Sequence, residues 1–241
     1  DVKLRRVTIR QAFHQFDAAP ADLDAVLAAE PGNAQARFSR AFIHLTRGEP
    51  SKAASDCAAL EGAALKLIKS ICSARVDALT GKGEEAAKGL ITTLAQERRT
   101  NIAMKKFALT VLADIKTGLG DWATTTRYYQ QVITAGSADV AAVTAYADML
   151  LALNKPKEAL DVLEDQGSAD IAVLRQAIAA KRTGDRRFGT WSAVLADRFA
   201  ANRSSGNRVH LREEARYLFD VLDDAAAALP LYSPEDIYTT D

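Results

Sequence analysis

The stretch Ala34 to Leu60, AQARFSRAFIHLTRGEPSKAASDCAAL, decides the fold. It reads as two short helices back to back, broken at Gly48-Glu49-Pro50. Glycine tolerates the left-handed conformation that ends a helix, and proline suits the first turn of the next. Ala41 and Ala53, twelve residues apart, fall where the two helices must touch.

The same pairing recurs at Ala74 with Ala86, Ala113 with Thr125, Ala147 with Ala159 and Ala177 with Gly189. Each pair brackets a turn: Thr80-Gly81-Lys82-Gly83, Gly120-Asp121, Asn154-Lys155-Pro156 and Thr183-Gly184-Asp185. Successive units are offset by 33, 39, 34 and 30 residues, a period in the range of stacked repeats. Leu109, Leu112, Ala113 and Lys116 follow the i, i+3, i+4, i+7 spacing of a helix, as do Val143, Tyr146, Ala147 and Leu150. No alternating strand pattern appears, so the fold class is all-α.

Outside the five pairs, Leu4 to Phe13 and Asp17 to Ala29 read as one more hairpin. Asn202 to Asn207 reads as a polar linker, and Arg208 to Leu222 as an amphipathic helix with Leu211, Ala215, Leu218 and Leu222 on one face. The expected organisation is a single solenoid over 1–229, about seven hairpins with the first and last degenerate. An irregular tail at 230–241 follows.

A hairpin of about 34 residues with small residues mid-helix, a Gly-Asp turn and a Pro-Gly-Asn link resembles the tetratricopeptide repeat. Ala29-Glu30-Pro31-Gly32-Asn33-Ala34 with Gly48 and Ala53 carries the likeness best, followed by Gly120-Asp121-Trp122 and Lys157-Glu158-Ala159-Leu160. The chain departs from that pattern in lacking large aromatics in the first helices, in Thr125, and in the 39-residue interval. FDAAPADLDAVLAAEPGNAQARFSRA and HLREEARYLFDVL are similar to a group of uncharacterised bacterial tetratricopeptide proteins, several of which look exported.

The resemblance implies a right-handed superhelix whose concave wall, built from the first helix of each pair, takes an extended peptide or a partner helix. Aligning the turns puts Phe38, Phe42, Ile71, Arg75, Thr110, Asp114, Thr144, Asp148, Leu174 and Ile178 on that wall. The Lys and Asn clamp that grips a terminal carboxylate in chaperone-binding members has no equivalent at these positions. An apolar start and a carboxylate-bearing middle suit a ligand with an apolar anchor and a basic or hydroxyl-rich stretch. The expected function is a non-catalytic protein- or peptide-binding scaffold. The alternative is a structural, self-assembling subunit.

Catalytic candidates are sparse. His14, His44 and His210 are scattered over different hairpins and form neither a triad nor a metal set. Gly81-Lys82-Gly83 lacks the flanking residues and the strand of a phosphate loop. No catalytic residue, metal or cofactor is expected. With 31 basic and 31 acidic residues the net charge is zero, which favours neither nucleic acid nor an anionic membrane. Between Arg175 and Arg216, ten basic residues against four acidic ones leave a local excess of six positive charges. That segment reads as a solvated helix face or a dock for an acidic partner. No run is long and apolar enough for a membrane span, and no targeting segment is recognisable, so a soluble chain is expected.

Cys57 and Cys72 lie on the second helix of one hairpin and the first of the next, with their midpoint near the intervening turn. They are either two buried thiols or a disulfide, the latter implying an oxidising compartment and hence export.

Overall fold

The computed structural model describes residues 19–97, 100–136, 139–206 and 210–231. The expected helix at Leu4 to Phe13, His14 and the tail beyond Leu231 lie outside them. Among the described residues there are helices and turns and no strand. The chain divides into two compact units with the boundary between Gln131 and Val132.

In the first unit, α1 (Ala19–Ala29) packs on α2 (Ala34–Thr46), which pairs with α3 (Pro50–Ala58). Then come α4 (Lys66–Leu79) with α5 (Gly83–Gln96), and α6 (Ile102–Gly118) with α7 (Trp122–Thr134), whose last turn crosses the boundary. Each second helix packs on the next first helix, α3 on α4 and α5 on α6. The first helices also touch one another, α2 with α4 and α4 with α6, forming a wall of first helices. The second unit repeats the scheme with α8 (Val140–Ala152), α9 (Pro156–Leu163), α10 (Asp170–Thr183) and α11 (Phe188–Ser204). It is closed by α12 (Leu211–Arg216), a π turn over Tyr217–Val221 and α13 (Ala225–Ala228).

The five hairpin turns share one backbone device. Gly48, Gly81, Gly120, Asn154 and Gly184 each stand seven residues after the leading alanine of their pair. All five have positive φ, between 56° and 86°. The residue after each donates its N–H back across the turn: Glu49 to His44 O, Lys82 to Asp77 O, Asp121 to Lys116 O, Lys155 to Leu150 O and Asp185 to Ala180 O, at 2.7–3.0 Å. This six-to-one bond satisfies a carbonyl that the helix end leaves orphaned. Pro50 and Pro156 open the following helices, where no N–H is needed. Asn33, Asn101 and Asp139 cap the first helices of three hairpins by accepting a backbone N–H of the first turn.

The paired small residues sit at the helix contacts. Ala41, Ala53, Ala74, Ala86, Ala113, Ala147, Ala159 and Ala177 are all buried. Thr125 is buried too, and its hydroxyl donates to Asp121 O at 3.0 Å, so the larger residue carries no unsatisfied polar group. Gly189 departs from the expected pairing. It is exposed, and α11 packs instead through Leu195 and Phe199.

Two other expectations change. The segment read as a linker at Asn202 to Asn207 is helical as far as Ser204, held by buried Phe199 and by an ion pair of Arg203 with Glu214. The helix expected to Leu222 widens at Tyr217, where the Leu222 N–H reaches back five residues to the Tyr217 carbonyl. That widening accompanies a change of face: Tyr217 and Val221 are buried and Leu222 is exposed. The Tyr217 ring packs on Phe199, and its hydroxyl donates to Ser192 O at 3.2 Å.

Cys57 on α3 and Cys72 on α4 form a disulfide with their Cα atoms 5.5 Å apart. Both are buried among Ala41, Leu45, Ala53, Leu60 and Val76, with Phe38 and Ile68 packed against the cluster. The bond ties the second helix of one hairpin to the first helix of the next.

Candidate ligand-binding wall

Helical spacing aligns the wall residues of the first unit. Phe38 and Phe42 are four apart on α2, Ile71 and Arg75 on α4, and Thr110 and Asp114 on α6. Phe38 and Phe42 are half-buried, so part of each ring remains on the surface. Ile71, expected on the wall, is fully buried. It is core because α4 packs against α2, α5 and α6 and has little free face left.

Arg75 and Asp114 carry the polar character of the wall. The Arg75 guanidinium sits 5.1 Å from the centre of the Phe42 ring, within cation–π range. Burial pushes Arg75 below its ordinary value, opposed by the charge of Asp114. Asp114 accepts a hydrogen bond from the Tyr129 hydroxyl at 3.0 Å. Its carboxyl is pushed above the usual range by the protein around it, against the pull of Arg75 and of that hydroxyl. Asp114 is nevertheless open to water. Dense surroundings with a solvent-accessible face are what a recessed surface provides. Thr110 donates its hydroxyl to Lys106 O.

Phe107 completes this wall, and Tyr129, buried on the second helix α7, holds Asp114; neither was part of the sequence-based expectation. Phe107 meets Phe38 edge to face. Its position three residues before Thr110 on the same helix was the available signal.

The second unit keeps less of the expected wall. Leu174 and Ile178 are fully buried, and Thr144 is buried with its hydroxyl donating to Val140 O. Leu174 and Ile178 belong to the core because α10 packs on α8, α9 and α11 together, and Thr144 because α8 packs on α9 and α10. Asp148 is only partly buried, but its carboxylate is already engaged. Arg175 donates to it through Nε at 3.0 Å and Nη2 at 2.7 Å, and Arg216 through Nη1 at 3.0 Å. Arg216 also pairs with Asp220. The carboxylate-bearing middle of the expected wall therefore reduces to Asp114.

The basic segment is largely paired. Arg175, Lys181, Arg187, Arg198, Arg203 and Arg216 each lie against a carboxylate, which favours the reading of a charged helix face over that of an open basic dock. His44 has carboxylates that its sequence neighbours did not reveal. Its Nδ1 is 2.6 Å from Glu49 and its Nε2 is 4.0 Å from buried Asp56. Asp56 in turn takes two bonds from Arg40, which also reaches Asp24 on α1. This network joins α1, α2 and α3 and is structural. Among the described residues, no group of three or more His, Cys, Asp or Glu side chains is placed to hold a metal ion. No described helix is long and apolar enough to cross a membrane. No protein-family model matches the chain, and no curated protein matches it.

Proposed function

We propose that the protein is a non-catalytic scaffold of the tetratricopeptide kind, binding a protein or peptide on its wall of first helices. The observation that carries this reading is Arg75. It is partly desolvated and stacked beside Phe42, and no acceptor among the described residues meets its N–H groups. A half-buried guanidinium whose N–H groups are open to solvent is available to a ligand acceptor, and its charge strengthens that bond. The half-buried aromatics beside it provide the apolar part of the contact. Binding of short peptides of random sequence on an array, compared between the wild type and Phe42→Glu, tests the reading. Selective binding lost in the variant supports it, and equal patterns for both proteins refute it.

The buried Cys57–Cys72 bond supports an oxidising compartment, because cytosolic reductants keep such pairs as thiols. Thiol alkylation of the protein taken from its native cell checks this: full labelling at both cysteines after unfolding excludes export.

Self-assembly is the second reading. It rests on Leu79, Leu119 and Trp122 at the hairpin ends of the first unit, all exposed large apolar side chains. A sedimentation coefficient independent of concentration argues against it.

A further inference from the structure

The polar pair on the wall of the first unit specifies its ligand more closely than the fold does. Arg75 carries five N–H donors and no acceptor. Its contacts are the Phe42 ring and, through space, the charge of Asp114, to which it makes no hydrogen bond. Asp114 stands on the adjacent first helix, with Oδ1 taken by the Tyr129 hydroxyl and Oδ2 without a donor among the described residues. A donor and an acceptor thus stand on neighbouring helices, each with bonding capacity open to solvent.

The sign of the charges narrows what satisfies both. An anionic group meets Arg75 and is repelled by Asp114, while a cationic group meets Asp114 and is repelled by Arg75. A neutral main chain presents carbonyl and N–H in alternation, so one extended segment answers both without bringing a net charge. Phe42, beside Arg75, and the Phe38–Phe107 pair offer apolar surface for its side chains. We propose that Arg75 and Asp114 bracket the main chain of an extended peptide lying across α4 and α6, Arg75 donating to a carbonyl and Asp114 accepting an N–H. The bracket rests on the scaffold reading and names what the wall grips: backbone amides rather than a charged side chain or a terminus.

The test begins with the strongest binder from a random array of short unstructured peptides. It is resynthesised with each peptide bond in turn N-methylated, which removes one donor. The expected result is one position where methylation weakens wild-type binding about tenfold, the loss of one charge-assisted hydrogen bond. The same change is expected to matter less than about twofold in Asp114→Asn. Arg75→Met is expected to weaken the parent peptide by a similar factor whether its C-terminus is free or amidated. Thermal melts establish that both variants are folded, and the wild-type methylation series reads the bracket even if they are not. If peptides bind but no methylated position matters, the bracket is wrong and the scaffold reading stands. Affinity that depends on a free carboxylate and on Arg75 alone also overturns the bracket, in favour of an anion site. If no peptide binds the wild type, both readings fall.

Discussion

Phe38 on α2 meets Phe107 on α6, two hairpins away, with ring centroids 5.9 Å apart and planes at 80°. Helix α4 contacts both α2 and α6, so this pair links the two first helices that flank it. An edge-to-face pair contributes about 1 kcal/mol beyond its buried area. A double-mutant cycle with Phe38→Leu and Phe107→Leu should return a coupling of about that size in urea unfolding. Additive losses mean that the rings merely share a surface.

The disulfide closes a loop with a sequence separation of 15, so chain entropy predicts about 3 kcal/mol of stabilisation. The Cys57→Ala, Cys72→Ala double variant should unfold at a markedly lower denaturant midpoint. Added reductant should lower the wild type toward it and leave the variant unmoved.

Asp56 is buried, and Arg40 donates to it through two nitrogens at 2.9 and 2.6 Å. The Asp56 carboxylate, with a smaller contribution from Asp24, raises Arg40 further above its already high value. Removing Asp56 leaves partly exposed Arg40 with Asp24 alone, so Asp56→Ala should cost about 1.5–3 kcal/mol, the worth of hydrogen bonds to a charged group. Circular dichroism melts of the variant check this, with Asp24→Ala, whose carboxylate is exposed, losing much less.

Glycine substitutions should change sign with backbone conformation. Gly120 has φ +73°, so Gly120→Ala should destabilise by about 1 kcal/mol. Gly89 lies inside α5 with nothing within 4 Å of an added Cβ, so Gly89→Ala should stabilise by about 0.5–1 kcal/mol. Denaturant midpoints of the two variants should fall on opposite sides of the wild type.

The pH dependence follows from Asp114. The protein packed around it raises its carboxyl in the folded state although one face reaches water, so the native protein is penalised for ionising it above the ordinary aspartate range. That penalty is present at neutral pH and disappears once the group is protonated in both states. Asp114→Asn should therefore melt higher than the wild type at neutral pH, and the gap should close as pH falls below the ordinary aspartate value. A gap that widens on acidification refutes this assignment.

Much of the hairpin architecture was legible because it is written in local chemistry. A left-handed residue seven positions after each leading alanine, with a small residue at most of the helix contacts, needs only neighbouring residues to be understood. The apposition of Cys57 and Cys72 across a short antiparallel connection was legible for the same reason, though not their chemical state.

The wall was half legible. Position on a first helix identified Phe42, Arg75 and Asp114, but gave the same standing to Ile71, Thr144, Leu174 and Ile178, which are buried. Which face of a first helix stays open depends on how many neighbours press on it, and no local pattern records that.

What the sequence by itself determined, then, is the succession of helices and the turns between them, through backbone preferences acting over a few residues. Tertiary structure alone decided which side chains remain free to act. Asp148 is taken by Arg216, 68 residues along the chain, while Arg75 finds no acceptor among the described residues. In the stretch from Ala34 to Leu60, Phe38 is occupied by Phe107 and Phe42 by Arg75, pairings that long-range packing creates from residues with no local signal for one another.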